Sequence, residues 1–126
     1  MLQNTTETSK NDQLYSLGLH TKMRRLVTMI GGFSNRSGLG ADEALILFSL
    51  LCIAQADNIR YESSMWEARA TLGTLSQLTA IPKETVRRKL KRMADAGLIE
   101  QKKDAIYSIN TLNDCIVDLC TAFQTI

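Results

Sequence analysis

The sequence has few of the residues on which disulfide-rich, metal-binding and secreted proteins depend. It contains three cysteines, one histidine and one proline among 126 residues. An odd number of cysteines in separated positions argues against a disulfide framework and favours a reducing compartment. The N-terminus is polar and lacks the basic-then-apolar order of a secretory signal. We therefore expect a cytoplasmic protein.

Long apolar runs, metal-ligand clusters and catalytic constellations are also missing. The longest apolar run, Ala44 to Ala54, contains Ser49 and is too short to cross a bilayer. His20 has no ligands at suitable spacing around it, and Cys115 and Cys120 form neither a CxxC pair nor a zinc knuckle. No nucleophile–base set and no glycine-rich phosphate loop is readable. We expect no enzyme, no cofactor, no metal and no membrane partner.

Positive charge is concentrated in one stretch, although the formal net charge is only +2. Residues 83–103 contain eight basic and three acidic side chains, which leaves +5 there and −3 elsewhere. Five of the six residues from Arg87 to Arg92 are basic, whereas a solvated helix normally mixes signs. This segregation predicts an anionic partner, provided that these side chains are not neutralised within the protein.

The first part of the chain is predicted to form a tail and two helices. Residues 1–12 have no apolar rhythm and are expected to be a flexible tail. An amphipathic helix is predicted over 13–30, closed by Gly31-Gly32 and followed by a loop over 33–40. A largely apolar helix over 41–56, stopped by Asp57-Asn58, is expected to be the core helix. Its expected anchors are Leu45, Phe48, Leu51 and Cys52.

The middle of the chain predicts two helices joined by a tight turn. A short helix is plausible from Ser64 to Arg69, with Trp66 as a core or interface side chain. Thr74 is a suitable N-cap for a helix that ends at a turn, Ala80-Ile81-Pro82. The next helix is predicted over 83–96 and ends at Gly97. Its buried stripe is expected to be Val86, Leu90 and Met93, and the preceding helix should bury Leu75 and Leu78.

A hairpin and a final helix complete the prediction. The strands are Leu98–Lys102 and Ala105–Ile109, with the turn at Lys103-Asp104. Thr111 is expected to cap the last helix, which covers 111–124. Its apolar stripe consists of Leu112, Cys115, Ile116, Leu119, Cys120 and Phe123.

This order of helix, turn, basic helix, glycine and hairpin resembles the winged helix-turn-helix of bacterial transcription regulators. The matching residues are LSQLTAIPKETVRRKL, from Leu75 to Leu90, and ADAGLI, from Ala94 to Ile99. The flanking helices resemble those of MarR-like dimers. Glycine is usual in the family where Ala80 stands, in a left-handed conformation that costs another residue about 1 kcal/mol.

The resemblance implies a mainly α fold with a small β-hairpin wing, as a single domain over 13–126. Within it, 74–96 would be the helix-turn-helix, 98–109 the wing, and 13–30 and 111–124 the dimerisation helices. Such a protein binds double-stranded DNA as a transcription regulator, most simply a repressor. A replication, partition or mobile-element protein and a winged-helix protein–protein module remain alternatives, and a small-molecule effector remains open.

The resemblance also implies roles for particular residues, because the second helix enters the major groove. Those expected to read bases are Lys83, Glu84, Arg87 and Arg88. Those expected to contact phosphates are Thr74, Ser76, Lys91, Arg92, Lys102 and Lys103. A homodimer is expected to form through Leu19, Met23, Leu26, Ile30, Ile116, Leu119 and Phe123, unless these residues fold back on their own core.

Overall fold

The computed structural model describes the backbone of residues 2–124 and the side chains of residues 18–122 and 124. This part of the chain is mainly helical, with one small antiparallel sheet. The helices are α1 (Leu2–Ser37), α2 (Ala41–Tyr61), α3 (Leu72–Thr79), α4 (Lys83–Asp95) and α5 (Asp114–Gln124). The strands are β1 (Glu67–Arg69), β2 (Ile99–Lys103) and β3 (Ile106–Ile109), in the spatial order β1-β3-β2.

Helix α2 is the core helix, as predicted, and it contacts α1, α3, α4, β1 and β3. Its buried face differs from the expected one: Leu51 is buried and Phe48 partly so, but Leu45 is 42% exposed and Cys52 is exposed. The helix is apolar almost all round, so its periodicity did not identify the inward side. The residues that do face the core are Glu43, Ala44, Ile46, Leu47, Leu50, Leu51 and Ala54.

The end of α2 was also predicted too early. The helix continues through Asp57-Asn58 to Tyr61, and Glu62 ends it in the left-handed conformation, with φ 55°. Over its full length α2 is long and apolar enough to cross a membrane by composition. A core helix passes the same test, and the contacts of α2 with five other elements are those of a core helix.

Helix α1 is longer at both ends than the sequence indicated. It begins at Leu2, within the expected tail, and runs through Gly31-Gly32 and most of the expected loop. Phe33 is 4% exposed and packs in the core, which favours continuation of the helix beyond the glycines. Gly38 then ends it with φ 72°, its N–H donating to the Ser34 carbonyl over 2.9 Å.

Strand β1 replaces the short helix that was expected from Ser64 to Arg69. Ala68 is fully buried and pairs with Tyr107 of β3. The Ile109 N–H donates to the Trp66 carbonyl over 2.8 Å, and Trp66 packs against the core as expected. The strand has three residues, and its partner lies far along the chain, so no local pattern revealed it.

The hairpin forms one residue later than predicted. Lys103 belongs to β2 and pairs with Ile106, and the ladder is irregular between Gln101 and Lys103. The turn is therefore at Asp104-Ala105, where Ala105 has φ 65°. One extra residue of β2 lies between the two paired positions, as in a β-bulge. The sequence pattern did not show this bulge.

Two helix starts also need correction. The α3 helix begins at Leu72, because Thr71 rather than Thr74 is its N-cap and accepts from the Thr74 N–H over 3.1 Å. At α5, the Asn113 carboxamide oxygen accepts from the Cys115 N–H over 2.9 Å, so Asn113 and not Thr111 caps that helix. Leu78 and Leu112 are 59% and 89% exposed and lie outside the buried stripes predicted for them.

Candidate nucleic-acid interface

The turn between α3 and α4 is held by its own side chains. Ala80 is left-handed, with φ 59°, which is the conformation expected at the position where the resembled family has glycine. The Ser76 hydroxyl donates to the Ile81 carbonyl over 2.6 Å, and the Thr79 hydroxyl donates to the Leu75 carbonyl over 2.7 Å. Leu75 and Ile81 are buried on either side. These contacts fix the direction in which α4 leaves α3.

Helix α4 is the best-predicted element of the chain. It buries Val86, Leu90 and Met93, as the spacing predicted, and Gly97 follows it with φ 78°. Because that stripe faces the core, the opposite side of the helix is turned to solvent. The side chains exposed along α4 include Lys83, Glu84, Arg87, Arg88 and Lys91.

An open groove of about 910 Å³ runs between α4, the start of α3 and the hairpin. Four basic side chains of α4 line one wall, namely Lys83, Arg87, Arg88 and Lys91. The start of α3 contributes Thr71 and Gly73, and the hairpin contributes Gln101, Asp104 and Tyr107. Sequence reasoning placed Gln101, Asp104 and Tyr107 in the expected wing but named none of the five as an individual contact residue, because only the fold places them opposite the basic helix.

Arg87 and Glu84 form an ion pair on the exposed face of α4. Nε and Nη2 of Arg87 donate to Oε2 of Glu84 over 3.2 and 2.8 Å. The hydrogen bond and the charge of Arg87 lower the pKa of Glu84, and the same contacts raise the pKa of Arg87. Arg87 and Glu84 both lie on the exposed face of α4, as expected, but each is the ion-pair partner of the other.

Lys89 and Arg92 both pair with a buried carboxylate, although the Arg92 side chain stays 56% exposed. Nζ of Lys89 and Nη1 of Arg92 lie 3.1 and 3.5 Å from Oε1 of Glu43, a side chain of α2 with no exposed surface. Nη2 of Arg92 also donates to the Gly38 carbonyl over 3.4 Å. With the Arg87–Glu84 pair, the condition that the basic row be free of carboxylates is thus not met at three of its five cations, namely Arg87, Lys89 and Arg92. In the described part of the chain, Arg88 and Lys91 make no ion pair.

The other expected phosphate contacts differ in availability. Lys102 and Lys103 are exposed on β2. The Ser76 hydroxyl is used in the turn, and the Thr74 N–H and hydroxyl both face the Thr71 hydroxyl, at 3.1 and 3.0 Å. The two lysines therefore present free ammonium groups on the hairpin, whereas Ser76 and Thr74 are engaged within the protein.

The residues expected at a dimer interface fall into two groups. Leu19, Met23 and Leu26 are 56%, 54% and 36% exposed along α1, whereas Ile30 is partly buried against the core. Ile116 and Leu119 are 1% and 2% exposed, since α5 packs on α1 of the same chain. Ile116 and Leu119 therefore fold back on their own core, which was the alternative to a dimer contact. The Phe123 side chain lies outside the described residues.

A second groove, of about 740 Å³, lies between α1 and α5. Met29, Phe33 and Leu119 form its apolar floor, and Arg36, which pairs with Asp118, stands at its edge. His20 and Cys115 also line it.

Burial raises the pKa of the Cys120 thiol, and the three cysteines are free. No group of three metal-ligating side chains occurs among the described residues.

Comparison with known proteins finds no family model, no curated protein and no solved structure that matches this chain.

Proposed function

We propose that this protein is a winged helix-turn-helix regulator that binds double-stranded DNA, most simply as a repressor. The observation that carries the proposal is the exposed basic face of α4. Lys83, Arg87, Arg88 and Lys91 line one wall of an open groove, and the turn before them is fixed by buried residues and hydrogen bonds. A rigid, convex helix with a basic outer face suits the major groove of a polyanion.

The hairpin supports the same proposal as a wing. Strands β2 and β3 follow α4 directly, and β1 completes a three-stranded sheet beside the helices. Lys102 and Lys103 are exposed near the hairpin turn, where they would reach the DNA backbone or the minor groove.

Base reading is proposed for the start of α4. Arg88 can bond a guanine through two N–H groups, and Lys83 can bond its acceptor atoms. Arg87 and Glu84 would act together, because their ion pair orients both side chains. Lys91 would bind phosphate, whereas the Glu43 contact of Arg92 directs its guanidinium away from the backbone.

A homodimer in the cytoplasm is part of the proposal. Leu19, Met23 and Leu26 recur at intervals of four and three residues, and their apolar surfaces are exposed in the single chain. That spacing is typical of a helix–helix seam. A twofold pair of α4 helices would then read two half-sites of an inverted repeat.

Binding of a fluorescently labelled duplex, followed by anisotropy across a salt series, tests the proposal. We expect binding that weakens steeply as salt rises, because each phosphate contact releases counterions. Lys103→Ala should flatten the slope of log affinity against log salt by about one unit. Arg60→Ala removes the same charge from an exposed position on α2 and is the matched control. Absence of duplex binding at low salt would refute the function, and an unchanged slope would remove Lys103 from the interface.

A further inference from the structure

The Glu43 carboxylate is an unusual feature of the core. It lies in the first turn of α2, has no exposed surface, and is the only charged side chain among the buried residues described. A buried carboxylate is strongly unfavourable unless charges and hydrogen bonds compensate it. The groups that contact the Glu43 carboxylate therefore show which parts of the protein it links.

Both carboxylate oxygens of Glu43 are occupied. Oε2 accepts from the Gly40 N–H over 3.0 Å, and Oε1 lies 3.1 Å from Nζ of Lys89 and 3.5 Å from Nη1 of Arg92. Arg92 also donates to the Gly38 carbonyl. One side chain thus joins the segment between α1 and α2 to the middle and the end of α4.

The contacts keep Glu43 charged. Burial alone would raise the pKa of Glu43, but backbone hydrogen bonds and the Lys89 ammonium more than offset it, so the pKa lies below its ordinary value. A charged Glu43 at neutral pH pairs with two of the five cations between Arg87 and Arg92. The Lys89 side chain is 25% exposed, whereas that of Arg92 is 56% exposed and is tied to Glu43 and the Gly38 carbonyl through its guanidinium.

We infer that Glu43 is a positioning residue that sets the DNA specificity of α4, by fixing the helix to the α1–α2 junction and by withholding Lys89 and Arg92 from phosphates. The inference rests on the proposed function. Phosphate contacts supply nearly all non-specific affinity, whereas specificity is the ratio of specific to non-specific binding. Occupying two cations lowers non-specific affinity, and a fixed helix angle preserves the base contacts.

The Glu43 contacts link the segment that follows α1 to α4, which is 49 residues further along the chain at Arg92. Because α1 carries the exposed apolar stripe proposed for the dimer, Glu43 connects the dimer helix to the reading helix. A merely structural ion pair would stabilise the fold without changing the ratio of specific to non-specific affinity. This difference separates the two roles in an experiment.

The test compares Glu43→Gln with Glu62→Gln, which removes the same charge from an exposed position after α2. Anisotropy is measured on a preferred duplex and on a scrambled one, across a salt series. We expect Glu43→Gln to steepen the salt slope on the scrambled duplex by about one unit or more, because cations are released to phosphates. The specific to non-specific ratio should fall about tenfold or more. An unchanged ratio and slope would overturn the inference and leave Glu43 a purely structural residue.

Lys89→Met and Arg92→Met keep the inference testable if Glu43→Gln does not fold. Both are expected to leave the salt slope unchanged, because these cations do not contact phosphates in the folded protein. A slope flattened by about one unit for either variant would show direct phosphate contact and would contradict the inference. Thermal denaturation of each variant confirms that it is folded.

A separate arm distinguishes failure of the inference from failure of the proposed function. Denaturant unfolding of Glu43→Gln, Lys89→Met and the double variant measures the coupling between the two residues without DNA. Wild-type protein that binds no duplex would defeat the proposed function and, with it, the specificity role. Absence of coupling in a protein that does bind DNA would defeat the inference alone.

Discussion

On the exposed face of α4, Oε2 of Glu84 lies 2.8 Å from Nη2 and 3.2 Å from Nε of Arg87. Each residue thus occupies part of the hydrogen-bonding capacity of the other. A carboxylate that already accepts two N–H groups has fewer lone pairs for a cytosine amino group. Under the proposed function, Glu84 therefore either reads a base together with Arg87 or holds Arg87 back from phosphates.

Glu84→Gln is expected to strengthen binding to a scrambled duplex and to steepen the salt slope by up to about one unit, because the change frees Arg87 and removes a negative charge near the phosphates. The salt series on a scrambled duplex measures this. Glu62→Gln, which alters an exposed acid distant from α4 along the chain, is the control. Equal slopes for the two variants would contradict the account of the pair.

Arg88→Ala tests base reading. Arg88 is exposed and makes no ion pair in the described structure, and its nearest side-chain partner is the Thr85 hydroxyl at 3.4 Å. We expect a loss of about 1–3 kcal/mol in binding to the preferred site, with relaxed preference at one base pair. Competition with single-base variants of the site measures it, and Arg60→Ala is again the control. Equal losses on every duplex would instead make Arg88 a phosphate contact.

Ala80→Gly tests the conformation of the turn. Ala80 is left-handed with φ 59°, which glycine adopts without steric cost, so the free energy of unfolding should rise by about 0.5–1 kcal/mol. Ala94→Gly, in the ordinary helical conformation near the end of α4, should lower it by about 0.5–1 kcal/mol. Urea denaturation measures both. A destabilised Ala80→Gly variant would show that the turn is not strained.

Met23→Asp tests the dimer. The side chain is 54% exposed in the middle of the apolar stripe of α1, and burying a carboxylate there against a second copy is unfavourable. Sedimentation velocity at micromolar concentration should show a dimer for the wild type and a monomer for the variant. Leu112→Asp changes a residue that is 89% exposed before α5 and should remain dimeric. A wild-type species of 14.0 kDa at this concentration would refute dimerisation.

What could be predicted from the sequence was the part that local chemistry determines. The spacing of Val86, Leu90 and Met93 and the terminating Gly97 each depend on nearby residues, and the structure has both as expected. A left-handed Ala80 was suggested only by the family resemblance, and the structure has that conformation. These features define α4 and its turn, which together form most of the candidate site.

What could not be predicted depends on contacts between distant residues. Strand β1 exists because Ala68 meets Tyr107, and α1 continues past two glycines because Phe33 reaches the core. The inward face of α2 was ambiguous because both sides are apolar. Nothing in the sequence indicated the partners of Glu43, and only the fold shows that it binds Lys89 and Arg92.

The most direct measurement is selection of bound sequences by the full chain from a pool of random duplex DNA. The account predicts enrichment of an inverted repeat whose half-sites are about one helical turn apart, with Arg88→Ala losing the preference at one position in each half. Recovered sequences with no common motif, at a salt concentration where the protein still binds, would contradict sequence-specific recognition by α4.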